Sequence, residues 1–180
     1  DKYSYRSDRM YLVGHSIGAF LSAQLVFIPE YLINAASSYL KNTERIEELF
    51  NSIRGVVGIE GVYDIPSLVE SWPDYKSKKY IEPAYGTDPE VYKSASPEYH
   101  SIKDAITIPS FLIIHSFEDE DVDIGQAYNF YEYVKQGCES CVEIETGIKG
   151  THNSILKEKE LELRVEEFIL LQEAKLTYST

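Results

Sequence analysis

An α/β fold with a mainly parallel sheet and helices on both faces is what this sequence predicts. Three observations carry the prediction. Short, unbroken apolar runs alternate with helix-length stretches, in the order strand, helix, strand, helix, strand, helix. The apolar runs lack the in-out alternation of a half-exposed strand, as suits strands covered on both faces. And a Gly-x-Ser-x-Gly segment falls where the first such run gives way to a helix.

Taken in order, residues 10–14 (Met-Tyr-Leu-Val-Gly) read as a buried strand ending in glycine. A helix follows from Ser16 to about Val26. Pro29 interrupts it, and a second helical stretch runs to about Phe50. There Glu44, Glu47 and Glu48 face water while Ile46, Leu49 and Ile53 recur at helical spacing. Residues 55–59 form a second buried strand. The segment 61–109 holds six of the seven prolines and many tyrosines, and reads as an irregular cap or lid inserted into the layer structure. Residues 109–114 are a third strand, Ile124 to Lys135 an amphipathic helix, and residues 141–145 an alternating, half-exposed fourth strand. A terminal helix from Ile155 to Glu173 sets Leu156, Leu161, Val165, Phe168 and Ile169 on or near one face.

Composition narrows the function. The chain has 180 residues, 43% of them hydrophobic, which suits one globular domain and not disorder. Its formal charge of −13 repels a phosphate backbone, so nucleic acid is not an expected partner. No apolar run reaches the roughly 18 residues of a membrane span, and no secretory leader opens the sequence. The cytoplasm is the expected compartment, and a homodimer stays open. Cys138 and Cys141 have redox-motif spacing but precede an edge strand, and read as two reduced, structural or incidental thiols.

The segment 14–18 (Gly-His-Ser-Ile-Gly) carries the chemistry. A strand–turn–helix corner lifts the Ser16 hydroxyl clear of the sheet. Gly14 and Gly18 are the small residues that the tight turn requires, a side chain at either being expected to collide with its neighbours. The helix N-terminus behind the serine offers free N–H groups, that of Ile17 first, where an oxyanion would form. A serine needs a base, and in this architecture the chain order is serine, acid, histidine. Of His15, His100, His115 and His152, the last sits in a loop after the fourth strand, at the carboxyl edge of the sheet where a base is wanted. His15 is too near the serine along the chain, His100 lies in the cap, and His115 ends the third strand and packs there. The acid comes from the carboxylate-rich loop after that strand: Asp119 first, Asp121 as alternative, Asp64 a third choice.

These residues resemble the serine hydrolases of the α/β-hydrolase fold, and among them the fungal kynurenine formamidases (arylformamidases). The resemblance rests on segments 12–19 (Leu-Val-Gly-His-Ser-Ile-Gly-Ala), 58–64 (Gly-Ile-Glu-Gly-Val-Tyr-Asp), 96–97 (Ser-Pro), 115–120 (His-Ser-Phe-Glu-Asp-Glu) and 150–153 (Gly-Thr-His-Asn). It implies Ser16 as nucleophile, Asp119 as acid and His152 as base. It further implies a small aryl formamide, N-formyl-L-kynurenine, as partner, cleaved to L-kynurenine and formate in tryptophan breakdown toward NAD. No cofactor or metal is expected, and no ligand set for a metal is visible in the sequence. Tyr63, Trp72, Tyr75, Tyr80 and Tyr85 are candidates to line a pocket for the aryl ring. The family's His-Gly-Gly segment, which supplies the second part of the oxyanion hole, is absent, as are strands before Met10. The expectation is therefore a C-terminal part of a longer protein, with roughly a third of the domain outside it and poor stability and activity by itself.

Overall fold

The computed structural model describes residues 6–37 and 44–178. Among the described residues four strands form one sheet in the order β1-β2-β3-β4: β1 Met10–His15, β2 Ile53–Ile59, β3 Ser110–Ile114 and β4 Val142–Glu145. Every pairing is parallel. Parallel neighbours need crossovers, and the sequence supplies one between each pair. Helix α1 (Ile17–Phe27), α2 (Pro29–Ser37) and α3 (Glu44–Ser52) lead from β1 to β2. The segment 60–109 leads to β3, and a long helix at Gly125–Gly137 leads to β4. The final helix is Lys159–Tyr178, preceded by a short 3₁₀ turn at Ser154–Lys157.

Both faces of the sheet are covered. Along β2 and β3 alternate side chains point to opposite sides. Val56, Phe111 and Ile113 pack with Ala19, Ala23 and Phe27 of α1 and with Phe130 and Val134 of the Gly125–Gly137 helix. Val57, Ile59, Leu112 and Ile114 face the other way, onto Ile155, Leu161 and Phe168. Phe27 meets Phe111 and Phe130 at ring separations of 5.5 and 5.8 Å. The predicted layers, and the unbroken apolar runs that signalled them, thus share one cause: these strands have no wet face. Among the described residues β1 forms one edge of the sheet, and Val13 there is 51% exposed.

Several local expectations need correction. Segment 61–109 is largely helical, with α4 at Ile65–Ser71, a run of short turns over Asp74–Lys76, Ser77–Ile81 and Glu82–Tyr85, and α5 at Pro89–Ala95. Its prolines start helices: Pro66, Pro83, Pro89 and Pro97 occupy first-turn positions, where a missing N–H costs nothing. The second predicted helix is seen as α2 and α3, and residues 38–43 between them lie outside the described residues. Ile53 opens β2 instead of closing a helix. Leu156 is 48% exposed, because it falls in the 3₁₀ turn and off the apolar stripe of the last helix. Cys138 and Cys141 are bonded as a disulfide, not two thiols; a 3₁₀ turn at Glu139–Cys141 brings their Cα atoms within 5.3 Å.

The cap segment docks through its own apolar cluster. Val62, Ile65, Leu68, Ile81, Tyr92 and Ala95 gather around Phe20 of α1. Among the described residues no single helix is long and apolar enough to cross a membrane; α1 and α2 together pass on length and composition, but they are bent by 82°. Because the sheet is parallel and in register, His15, Ile59, Ile114 and Glu145 align at its carboxyl edge. The loops that follow these four residues all emerge on that side.

Candidate active site

Ser16 stands at the corner between β1 and α1 with φ 54° and ψ −117°. That left-handed backbone costs a non-glycine residue about 1–3 kcal/mol, held here because its N–H donates to the Ile59 carbonyl at 2.8 Å. The corner is tight at Gly14. A Cβ there would lie 2.2 Å from the backbone carbon and oxygen of Gly18 and 2.5 Å from the Ala19 nitrogen. Gly18 is different: nothing described lies within 4 Å of a Cβ at that position, so the expected collision occurs at Gly14 alone. The N–H of Ile17, first in the helix, has no intrahelical acceptor and lies beside the serine.

The structure brings three of the predicted residues together. The Ser16 hydroxyl donates to His152 Nε2 at 2.9 Å, and His152 Nδ1–H donates to Asp119 Oδ2 at 2.8 Å. Asp119 Oδ1 accepts the backbone N–H groups of Asp121 and Val122 at 2.8 and 2.9 Å. The loop carrying His152 is tied down three times. Its backbone N–H reaches Glu120 Oε2 at 2.9 Å, Gly150 N–H reaches Ser116 Oγ at 3.2 Å, and His15 Nε2–H donates to the His152 carbonyl at 2.6 Å. His15 thus packs against the loop that carries His152 and not over the serine.

The remaining candidates go elsewhere. Asp121 is ion-paired with Lys76, and its carbonyl accepts the Trp72 indole N–H at 2.6 Å. Asp64 caps α4 by accepting Ser67 N–H at 3.1 Å. His100 Nε2 bonds the Ser94 carbonyl at 2.8 Å in the cap.

Electrostatics separates the two ionisable partners. Burial disfavours an imidazolium at His152, but the hydrogen bond and charge of Asp119 outweigh it and hold the imidazole pKa above its ordinary value. Burial alone would raise Asp119; donors from His115 and His152 overcome it and hold the carboxyl well below the usual range. A carboxylate that stays charged beside a histidine of raised basicity is the arrangement that lets an imidazole take a proton from a hydroxyl.

Sequence reasoning missed a second cluster beneath this one. Glu60, His115 and Asp119 present ligand-type atoms within 4.8 Å of one another. The sequence showed no metal ligand set, yet folding assembles this one. Within the protein His115 Nε2 lies 3.0 Å from the Val122 carbonyl, and Asp119 is hydrogen-bonded to His152 and two amides.

A cavity of about 540 Å³ opens in front of Ser16 and His152. Trp72, Tyr75, Tyr80 and Tyr85 line it, as does the Lys76–Lys79 turn. Tyr63 does not: it is 1% exposed and stacks on Phe130 with ring centroids 3.9 Å apart, in the main core. Lys79 was not anticipated as a site residue. Its ammonium sits over the Tyr80 ring at 4.7 Å and forms no ion pair among the described residues. The signal that could have found it is three lysines within four residues of an acidic chain.

A family model described as BD-FAE matches residues 1–134. Two curated kynurenine formamidases are similar in sequence. That of Scheffersomyces stipitis is 24% identical over 165 residues, covering 86% of this chain and 60% of the relative. That of Meyerozyma guilliermondii is 27% identical over 157 residues, covering 86% and 55%. The chain therefore spans little more than half the length of these relatives. Among solved structures, Porphyromonas gingivalis dipeptidyl peptidase 4 superposes with a TM-score of 0.60 at 13% identity, covering 91% of this chain and 20% of that one. Uncomplexed Pyrococcus horikoshii acylaminoacyl peptidase gives 0.58 at 18% identity, covering 90% and 24%. At such identities the likeness concerns the fold alone.

Proposed function

The chain belongs to the BD-FAE family and has an α/β-hydrolase fold, and from that premise we propose that it forms the catalytic part of a serine hydrolase that cleaves N-formyl-L-kynurenine to L-kynurenine and formate. The observation that carries the proposal is the continuous hydrogen-bonded path from Ser16 through His152 to Asp119. In this reading Ser16 Oγ attacks the formyl carbon as His152 Nε2 takes its proton, and the Ile17 N–H faces the developing oxyanion. His152 then hands the proton to the departing aryl amine. A water activated by the same imidazole releases formate from Ser16, with Asp119 balancing the imidazolium at each stage.

The cavity supports the choice of substrate. Its aromatic walls suit an aryl ketone, and N-formylkynurenine also carries a carboxylate at its amino-acid end. Lys79, free of carboxylate partners among the described residues, is the group we assign to it. The curated formamidases named above support the same substrate class.

The test uses the full-length protein. Turnover of N-formyl-L-kynurenine is compared with that of short p-nitrophenyl esters, and Ser16→Ala with the parent. Formamide turnover that exceeds ester turnover in kcat/KM and vanishes in Ser16→Ala is the expected result. Ester turnover alone assigns a general carboxylesterase instead. Failure of a fluorophosphonate to label Ser16 leaves a binding protein on a hydrolase scaffold.

A further inference from the structure

We infer that Glu60 is a positioning residue of this site: a buried, protonated carboxylic acid that donates a hydrogen bond to Asp119 and holds that carboxylate in line with His152. The inference rests on the serine-hydrolase reading above. It starts from an awkward local structure. Glu60 follows β2 at the carboxyl edge of the sheet, adopts φ 47°, and is fully buried. A non-glycine residue in left-handed backbone with its carboxyl out of reach of water carries two costs at once, and such a combination persists where the surroundings impose it.

The surroundings are specific. Glu60 N–H donates to the Ile114 carbonyl at 2.9 Å, and Glu60 Oε1 accepts Ser116 N–H at 3.2 Å, so the residue bridges the ends of β2 and β3. Ser116 in turn holds Gly150 of the histidine loop. Glu60 Oε2 lies 3.2 Å from His115 Nε2, but that nitrogen has a nearer acceptor in the Val122 carbonyl. Oε2 is left buried with no donor of its own. A buried acceptor without a donor is resolved if the oxygen itself carries a hydrogen, and Asp119 offers a carboxylate oxygen in the same cluster, within 4.8 Å.

Two carboxyl groups within 4.8 Å of one another in a dry site do not both ionise. Asp119 takes the charge because two amides and His152 already donate to it. Glu60 has one amide, and burial together with Asp119 pushes it up to about 9. The charged or titratable groups facing it are His115, Asp119 and Glu120 after β3, His152 from the loop before the last helix, and Tyr63 behind it. The acid–base pair thus stands on a neutral third group, which steadies Asp119 without competing for its charge.

The full-length protein is compared with Glu60→Gln and Glu60→Ala. An infrared difference spectrum of wild type against Glu60→Gln at neutral pH shows a protonated-carboxyl band in the wild type. The rate of fluorophosphonate labelling at Ser16 is followed from about pH 6 to about pH 10. In the wild type it falls on the alkaline side near about 9 as Glu60 ionises beside Asp119. Glu60→Gln keeps the donor, labels within about threefold of wild type at neutral pH, and lacks that fall; Glu60→Ala, unable to hold Asp119, loses about 10²-fold. A missing carboxyl band, or an alkaline fall that survives in Glu60→Gln, overturns the inference alone. A wild type that takes up no probe at any pH overturns the hydrolase reading beneath it.

Discussion

Replacing Gly14 with alanine tests the elbow geometry most directly. The added Cβ would stand 2.2 Å from two backbone atoms of Gly18 and 2.5 Å from the Ala19 nitrogen, where ordinary contact begins at 3.4 Å. All three are main-chain atoms of α1, so no side chain can swing away. Relief requires the helix start to retreat by on the order of 1 Å, because a close-packed interior offers no slack. Ser16 travels with it, and a 2.9 Å hydrogen bond to His152 stretched by that amount is no longer one. The rate should fall about 10²-fold from misplacement of this size. Stability should fall by about 1–3 kcal/mol from overpacking. Gly18→Ala is the matched control, since a Cβ there meets nothing described and exchanges a poor helix former for the best one. The assay is the second-order rate constant for fluorophosphonate labelling of Ser16 in the full-length protein, with the urea midpoint measured in parallel. A Gly14→Ala protein with the labelling rate and midpoint of the parent would refute the reasoning.

Asp119→Asn should leave the fold in place and cut turnover by about 10⁴-fold, since an amide fails to hold the imidazole in its working tautomer; a stopped assay of formate release checks it. Lys79→Ala should raise KM for N-formyl-L-kynurenine about tenfold, as expected for a lost charge-assisted bond, and leave uncharged p-nitrophenyl esters unaffected. Glu98 offers a stability test. Burial, aided by Asp64, pushes its carboxyl up to about 8, and its Oε1 is buried without a partner. The folded chain therefore holds a proton that the unfolded chain releases near pH 4.5, so stability declines as pH rises through that window and levels off above about 8. Glu98→Gln should raise the melting temperature by several degrees at pH 8.5 and hardly at all near pH 4, and equal gains at both would show that the proton is not involved.

What was legible in the sequence follows the range of the forces involved. The strands could be read because being covered on both faces is written locally, as in residues 55–59 and 109–114. Ser16, Asp119 and His152 could be nominated because each follows a strand end, and parallel strands put those ends on one edge. Segment 61–109 was misjudged because proline is both a breaker and a starter, and only the packing of Ile65, Leu68 and Ile81 around Phe20 decides which. Tyr63 looked like the other cap aromatics, and its stacking on Phe130 is a tertiary fact. Glu60 and His115 stand 55 positions apart, and nothing local announces that they meet. Likewise the spacing of Cys138 and Cys141 allowed a thiol pair or a disulfide, and the 3₁₀ turn between them decides for the second.

The alignment of His15, Ile59, Ile114 and Glu145 along one edge has a consequence for how the molecule assembles. The nucleophile, the acid and the base each hang from a different strand, so a slip of one residue in any pairing carries a group some 3.3 Å away and to the wrong side of the sheet. There is no half-competent intermediate in such a scheme. During renaturation the reappearance of a reactive serine would report, as a single all-or-none event, that every ladder has locked into place.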